Sequence, residues 1–438
     1  MAREGAETGG GTRRLKVENL ARVEGEGALS VRIQDGVLKD VAFTIHEPPR
    51  FFEALLRGRM YTDAPDITAR ICGICPVAYL LGASQAMEAA LSVPISDDMR
   101  RLRRLVYCGE WIESHVLHVA MLHAPDFLGY QDAIQMAADH PRIVETALRL
   151  KKLGNHILEV IGGRAVHPVN LCVGGVYRSP SRDDVLALRP ELDWALEAAR
   201  GLVSFTAGLT MPPVERDYLF VALHHPDDYA ITEGTLVSSE GLDVPVSAFH
   251  DHFSEDHQKN SNALVGATRD GRTYHVGPLA RYALNFDQFA PEVKEAARAA
   301  GLSRVVRNPF QSVVVRALET LQAIIDARAL VDTYVPPDPP RPEIIPGAGI
   351  GHGCTEAPRG LCHHTYDLDD QGRILHACIV PPTAQNQRSI GEDLRNVVAA
   401  HMDEPDERLQ WVCEQAIRNY DPCISCATHF LRLDVVRT

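Results

Sequence analysis

No stretch of the sequence approaches the roughly 18 consecutive apolar residues that a membrane helix needs, so no bilayer span is expected. An excess of positive charge is also missing. Lys and Arg number 44 against 58 Asp and Glu, a net charge of -14, and this balance disfavours attraction to nucleic acid or anionic membranes. The opening residues, MAREGAETGGGTRRLKVENL, are basic without an apolar stretch behind them. They do not read as a secretory signal, and the cytoplasm is the expected location. Repeats, low-complexity tracts and linkers biased enough to separate two domains are absent as well. What is there is an ordinary globular composition, 45% hydrophobic and 23% charged over 438 residues, sufficient for one large core.

Residues 1–14 read as a flexible tail. From about Leu15 to Ile45, apolar and polar residues alternate around an Asp35-Gly36 turn, which predicts a small antiparallel hairpin or meander. The apolar period then becomes helical. Three long helices are expected over residues 77–91, 99–124 and 143–163, and two more over 182–209 and 305–334. The last is stopped by the proline-rich VPPDPPRPEIIPG. Residues 211–289 suggest loops and short strands, and residues 347–379 a two-stranded turn around Asp370-Gln371-Gly372. Two closing helices fall near 389–401 and 407–419. The fold class that follows is mainly α with a small N-terminal antiparallel β region (α+β), built as one helix-bundle domain.

Ten cysteines in such a chain are more naturally reduced thiols than a disulfide framework. Cys72 and Cys75, in RICGICP, stand three apart with Pro76 suited to a first helical position. A helix N-terminus offers unpaired N–H groups and positive potential, which stabilise thiolate. By itself this pair fits a thioredoxin-like dithiol or half a zinc knuckle as well as a specialised metal site. Cys423 and Cys426, in DPCISCATH, repeat the spacing almost at the other end of the chain. Zinc ribbons place their pairs only about 15 to 20 residues apart, so a ribbon does not fit. Four soft thiolates suit zinc, copper(I) or iron-sulfur centres, and composition does not choose among them.

Together with Glu356-Ala357-Pro358-Arg359-Gly360, the box CIVPPTAQN from Cys378 to Asn386 and Arg22-Val23-Glu24-Gly25, the two cysteine motifs resemble the large, catalytic subunit of nickel-iron hydrogenases. All five elements occur in family order across nearly the whole chain. The resemblance implies a large-subunit helix-bundle domain over residues 15–429. It implies that Cys72, Cys75, Cys423 and Cys426 bind nickel, with Cys75 and Cys426 bridging to an iron that carries carbonyl and cyanide. Such a cluster is anionic and needs a cationic neighbour, a part that falls to Arg359 beside Pro358. Pro358, Arg359, Pro381 and Thr383 would line the carbonyl and cyanide pocket, with Asp421 in support. Pro382 stands where many membrane-associated relatives carry a hydroxyl residue. Glu24 matches the proton-transfer carboxylate, the proton leaving through Cys426 and Glu24. Glu53, the backbone carbonyl of Cys378 and the imidazole of His429 match the ligands of a magnesium or iron site.

The implied activity is reversible oxidation of dihydrogen, with electrons leaving through an iron-sulfur small subunit. The form of the motifs resembles the cytoplasmic, multi-subunit group coupled to NAD(P) through flavin and iron-sulfur diaphorase subunits. A hydrogen-sensing homologue, or an enzyme coupled to deazaflavin or to a heterodisulfide reductase, is the alternative. The family also implies a maturation metallochaperone, and a protease that removes residues 430–438 after His429. Outside these motifs, His115, His118 and His123 recur at helical spacing and fit either a channel lining or a bonded core. Cys108, Cys172, Cys354, Cys362 and Cys413 read as small buried hydrophobes, and Glu26 stands where many relatives have His.

Overall fold

The computed structural model describes residues 12–258 and 261–429. Strands β1 (Thr12–Val17), β2 (Gly27–Gln34) and β3 (Val37–Ile45) form an antiparallel sheet in the order β1-β2-β3. The strand thus begins at Thr12, inside the segment expected to be a tail. Asp35 and Gly36 both adopt positive φ, 52° and 70°, as a two-residue turn matching the twist of its strands requires. Leu29, Val31, Val41, Phe43 and Ile45 bury one face of this sheet against the closing helices of the chain.

The helical body contains α1 (Pro76–Leu91), α2 (Asp97–Val116), α3 (Pro141–Gly162), α4 (Arg189–Ala207) and α5 (Ser312–Asp332). Ser96 caps α2 through Met99 N, with Asp97 and Asp98 in its first turn. A π-helical segment, Leu117–His123, extends α2. The single helix expected over 182–209 is two, Arg182–Leu186 and α4, because Pro190 cannot donate into a continuous ladder and instead begins a new helix. Likewise α5 starts at Ser312, after a 3-10 turn at Pro309–Gln311, and not at Val305.

Residues 349–380 form three strands where two were expected: β4 (Gly349–Ala357), β5 (Gly360–Leu368) and β6 (Ile374–Val380). The Gly-rich run that hid β4 has a packing cause. A Cβ on Gly349, Gly351 or Gly353 would overlap the carbonyl oxygen of Ala90, Ala86 or Gly82 respectively. Four helical residues advance about 6 Å and two strand residues about 6.6 Å, so every second residue of β4 meets every fourth of α1. Only glycine allows that approach. The chain closes with α6 (Pro382–Ala400) and α7 (Asp406–Arg418). Among the described residues no helix is long and apolar enough to cross a membrane.

Candidate metal centre

The two cysteine pairs, far apart in sequence, meet in one buried cluster. Cys72 follows a 3-10 turn at Ala69–Ile71, and Cys75 precedes Pro76 at the start of α1. Cys423 precedes a short helix, Ile424–Ala427, that contains Cys426. All four are at most 2% exposed, and their sulfurs lie within 4.8 Å of one another. Cys72 Sγ is 3.3 Å from Cys423 Sγ, Cys75 Sγ is 3.7 Å from Cys426 Sγ, and Cys423 and Cys426 are 2.7 Å apart. All are free thiols. Thr383 Oγ1 accepts from Cys423 N at 2.9 Å, tying the start of α6 to the second pair.

The helix terminus does not act as the sequence suggested. The first free amides of α1, Val77 N and Ala78 N, donate to the buried carboxylate of Glu110 on α2, at 2.5 and 3.1 Å. Cys72 instead receives Ile74 N and Cys75 N, at 3.3 and 3.4 Å. Contacts with Cys423, Cys426 and Cys75 draw its pKa well down. For Cys75 the Cys423 contact lowers the pKa, but the Cys426 and Cys72 sulfurs and burial outweigh it and push it up. Burial and neighbouring sulfurs also push up Cys423 and Cys426. Negative charge accumulates here only with a cation to meet it.

Arg359 supplies part of that cation. Ala357 pairs with Gly360, so Pro358 and Arg359 form the two-residue tip of the β4–β5 hairpin. Arg359 Nε donates to Asp421 O at 2.7 Å and Nη2 to Asp421 Oδ1 at 3.1 Å. Its Nη1 is buried without a protein partner. Burial alone would lower its pKa, yet Asp421 and the sulfurs of Cys423, Cys75 and Cys72 raise it well above the usual value. Four soft sulfur donors beside an uncommitted guanidinium N–H fit a nickel-iron centre with an anionic ligand shell.

Glu24 lies against the second pair, in contact with Cys423. Its Oε2 accepts from Cys423 Sγ at 3.1 Å and Ser425 N at 3.0 Å, while its carbonyl accepts from Ile424 N at 2.9 Å. The thiol at hydrogen-bond distance from Glu24 is therefore Cys423, not Cys426. Burial, with Cys72, raises the Glu24 pKa. At the outer site, His429 Nε2 is 2.6 Å from Ile379 O and 3.7 Å from Glu53 Oε1, and Ile379 N donates to Glu53 Oε1 at 2.8 Å. The carbonyl turned towards His429 is that of Ile379, one residue beyond the Cys378 carbonyl implied by resemblance. Cys378 itself pairs with Thr365 across β5 and β6.

His115, His118 and His123 are buried core residues. His115 meets Glu319, His118 meets Arg418 O, and His123 bridges Asp126 and Asn419. Burial depresses the pKa of all three. Cys108, Cys172, Cys354, Cys362 and Cys413 are buried, as expected. Glu26 is exposed. Residues 430–438, the expected cleaved peptide, lie outside the described residues. Sequence reasoning missed Glu110, Ser425 and Glu47, whose Oε1 accepts from Ser425 Oγ at 2.6 Å. The polar residue between Cys423 and Cys426 was the available signal for Ser425.

Comparison with known proteins agrees with this buried four-thiol centre. Residues 50–146 and 263–429 match the family described as "Nickel-dependent hydrogenase". The chain belongs to that family, as a large, catalytic subunit, and so to the oxidoreductases that act on dihydrogen. It is 33% identical to the sulfhydrogenase 1 subunit alpha of Pyrococcus furiosus, covering 96% of this chain and 98% of that one. It is 27% identical to the NAD-reducing hydrogenase HoxS subunit beta of Cupriavidus necator, over 96% and 95% of the two chains. Its fold is similar to that of a NAD+-reducing [NiFe]-hydrogenase in the H2-reduced state, with a TM-score of 0.85 and 24% identity over 95% of this chain and 99% of that one.

Proposed function

We propose that this chain is the catalytic subunit of a cytoplasmic, multi-subunit hydrogenase that oxidises dihydrogen reversibly and delivers the electrons to NAD(P). Cys72, Cys75, Cys423 and Cys426 hold nickel and iron, with carbonyl and cyanide on the iron in a pocket lined by Pro358, Arg359, Pro381 and Thr383. When bound, the metal pair supplies the Lewis acidity and electron capacity for heterolytic cleavage of dihydrogen.

The chain's own residues manage charge and protons. Arg359, held by Asp421, presents a fixed positive charge and an N–H donor to the anionic cluster, and its burial excludes water that would screen it. Cys423 Sγ–H passes its proton to Glu24 Oε2, which already lies at hydrogen-bond distance. That contact is the observation that carries the reading. Glu110 occupies the α1 terminus and fixes the first pair in place. Glu53, His429 and the adjoining β6 backbone hold a hard ion, magnesium or iron, that anchors the last motif.

The electron route requires an iron-sulfur small subunit, with flavin and iron-sulfur diaphorase subunits beyond it. End-to-end similarity to a subunit of a NAD-reducing enzyme supports this acceptor. The test is an assay of the purified native complex under dihydrogen with NAD+ or NADP+. Reduction of either nucleotide is expected. An active complex that reduces artificial dyes but neither nucleotide would overturn the proposed acceptor while leaving the hydrogenase assignment intact. A metallochaperone and a protease acting after His429 complete the proposed set of partners.

A further inference from the structure

Pro358 and Arg359, at the tip of the β4–β5 hairpin, are buried together with Glu356, Ala357 and Gly360, so the carbonyls of this turn need donors from within the protein. Arg281, on the helix Pro278–Asn285 and 0% exposed, supplies them. Its Nη1 donates to Ala357 O and its Nη2 to Pro358 O, both at 2.9 Å, so it holds the two carbonyls that immediately precede Arg359. The other three N–H groups go to carboxylates: Nε and Nη2 to Glu319 on α5, at 2.7 and 2.8 Å, and Nη1 to Glu356 at 2.9 Å. All five donors of the guanidinium are thus used, three of them on charge that offsets its burial. The guanidinium lies over the Trp111 ring, 4.5 Å from its centroid, and Trp111 Nε1 donates to Glu356 O at 2.9 Å. Just ahead of the same helix, Gly277 closes on Arg359 itself. There φ is +107°, and a Cβ would overlap Arg359 O, so a glycine satisfies both the backbone and the space.

We infer that Arg281 and Gly277 are positioning residues, which fix the backbone of the hairpin tip and thereby aim Arg359 at the four thiols. The inference rests on the reading of Arg359 as the cation of the metal centre. Asp421 holds the Arg359 guanidinium through Nε and Nη2, and that hold leaves Nη1 pointing correctly only while the Arg359 backbone stays in place. Arg281 sets the backbone before Arg359 through Pro358 O, and Gly277 sets it at Arg359 O. A displacement of about 1 Å in such a group costs as much as about 10^2 in rate. Lysine cannot take the place of Arg281, because an ammonium has three donors and no planar fork to span two carbonyls and two carboxylates.

The experiment uses the purified holoenzyme complex, with rates expressed per bound nickel. It compares Arg281→Lys, Gly277→Ala, Arg359→Lys and the two double variants that combine Arg359→Lys with each of the others. Arg359→Lys should slow exchange of dihydrogen with deuterated water by about 10^2 or more. Arg281→Lys and Gly277→Ala should each slow it by roughly tenfold or more, the second without altering any member of the buried ion pairs. In the Arg359→Lys background neither should slow exchange by more than about twofold further, because a residue that acts only through Arg359 then has nothing left to aim. The infrared bands of metal-bound cyanide should shift in the same direction in all three single variants. Should Arg281→Lys not assemble, Gly277→Ala carries the same comparison. If Arg359→Lys is slow while Arg281→Lys and Gly277→Ala exchange like the parent, or if their losses multiply with that of Arg359→Lys, the positioning role is overturned and the Arg359 reading survives. If Arg359→Lys itself exchanges like the parent, the Arg359 reading fails and the positioning role with it.

Discussion

Glu24 Oε2 and Cys423 Sγ are 3.1 Å apart, and the carboxylate that makes this contact is fixed by the backbone N–H of Ser425. The pairing is what marks Cys423, among the four thiols, as the proposed proton donor to Glu24. Glu24→Gln preserves volume and the amide contact but cannot carry a proton. Turnover and dihydrogen exchange should fall by about 10^2 to 10^4, with nickel content and the metal-centred spectrum retained. Activity within about twofold of the parent would exclude this carboxylate from the proton path.

Asp126 is the hub that ties the first, middle and last parts of the chain together. It accepts from Arg418 Nε and Nη2, at 2.7 and 2.8 Å, and from Arg22 Nη2, and it meets His123 Nδ1 at 3.1 Å. Asp126→Asn leaves Arg418, 1% exposed, with only Glu414, 3.3 Å from its Nη1, as counter-charge. A loss of about 3–5 kcal/mol is expected, seen as a lower melting temperature. Arg22 is two residues before Glu24, so exchange activity should fall in the same variant.

These two cases show what was legible in the sequence. The cysteine pairs are legible from their spacing, and Arg359, Glu24, Glu53 and His429 from the family motifs the chain resembles; the structure brings Glu24 and Arg359 to the thiols and His429 to Glu53. Glu110, Glu47 and Asp126 act across long sequence separations, and nothing local distinguishes them from solvated acids. The long helices were legible through their period. The helix Pro278–Asn285 was not, because eight residues carry too little periodicity, and β4 was hidden by the glycines that its packing against α1 demands.

Glu319 predicts the acid side of the stability profile. Burial pushes its carboxyl up, but Arg281 and His115 outweigh burial and hold it down at about 2, from an ordinary value of 4.5. A depressed carboxyl contributes stability that is complete above the unfolded pKa and is lost as pH falls from 4.5 towards 2. Glu356, raised to about 7 mainly by burial, acts in the opposite sense between 4.5 and 7, outside that window. Glu319→Gln should therefore lower the melting temperature at pH 7, by the equivalent of about 3–5 kcal/mol. The difference from the parent should shrink at about pH 3. A difference that does not change with pH would show that the loss is one of packing.

The proposed processing is decided by mass. His429 is 1% exposed and bonded to Ile379 O and Cys426 O. The active subunit is expected to end at His429, and its precursor to extend beyond it. Intact-mass measurement of fully active enzyme that still carries Thr438 would show that maturation proceeds without cleavage.

The most direct measurement is metal analysis of the purified holoenzyme together with its infrared spectrum. Four buried thiols within 4.8 Å of one another, close to Arg359 with its uncommitted Nη1, predict one nickel and at least one iron per large subunit, with bands of metal-bound carbonyl and cyanide. Both should disappear in Cys423→Ala and Cys426→Ala. A centre containing only zinc held by the four cysteines, with no such bands, would contradict the account.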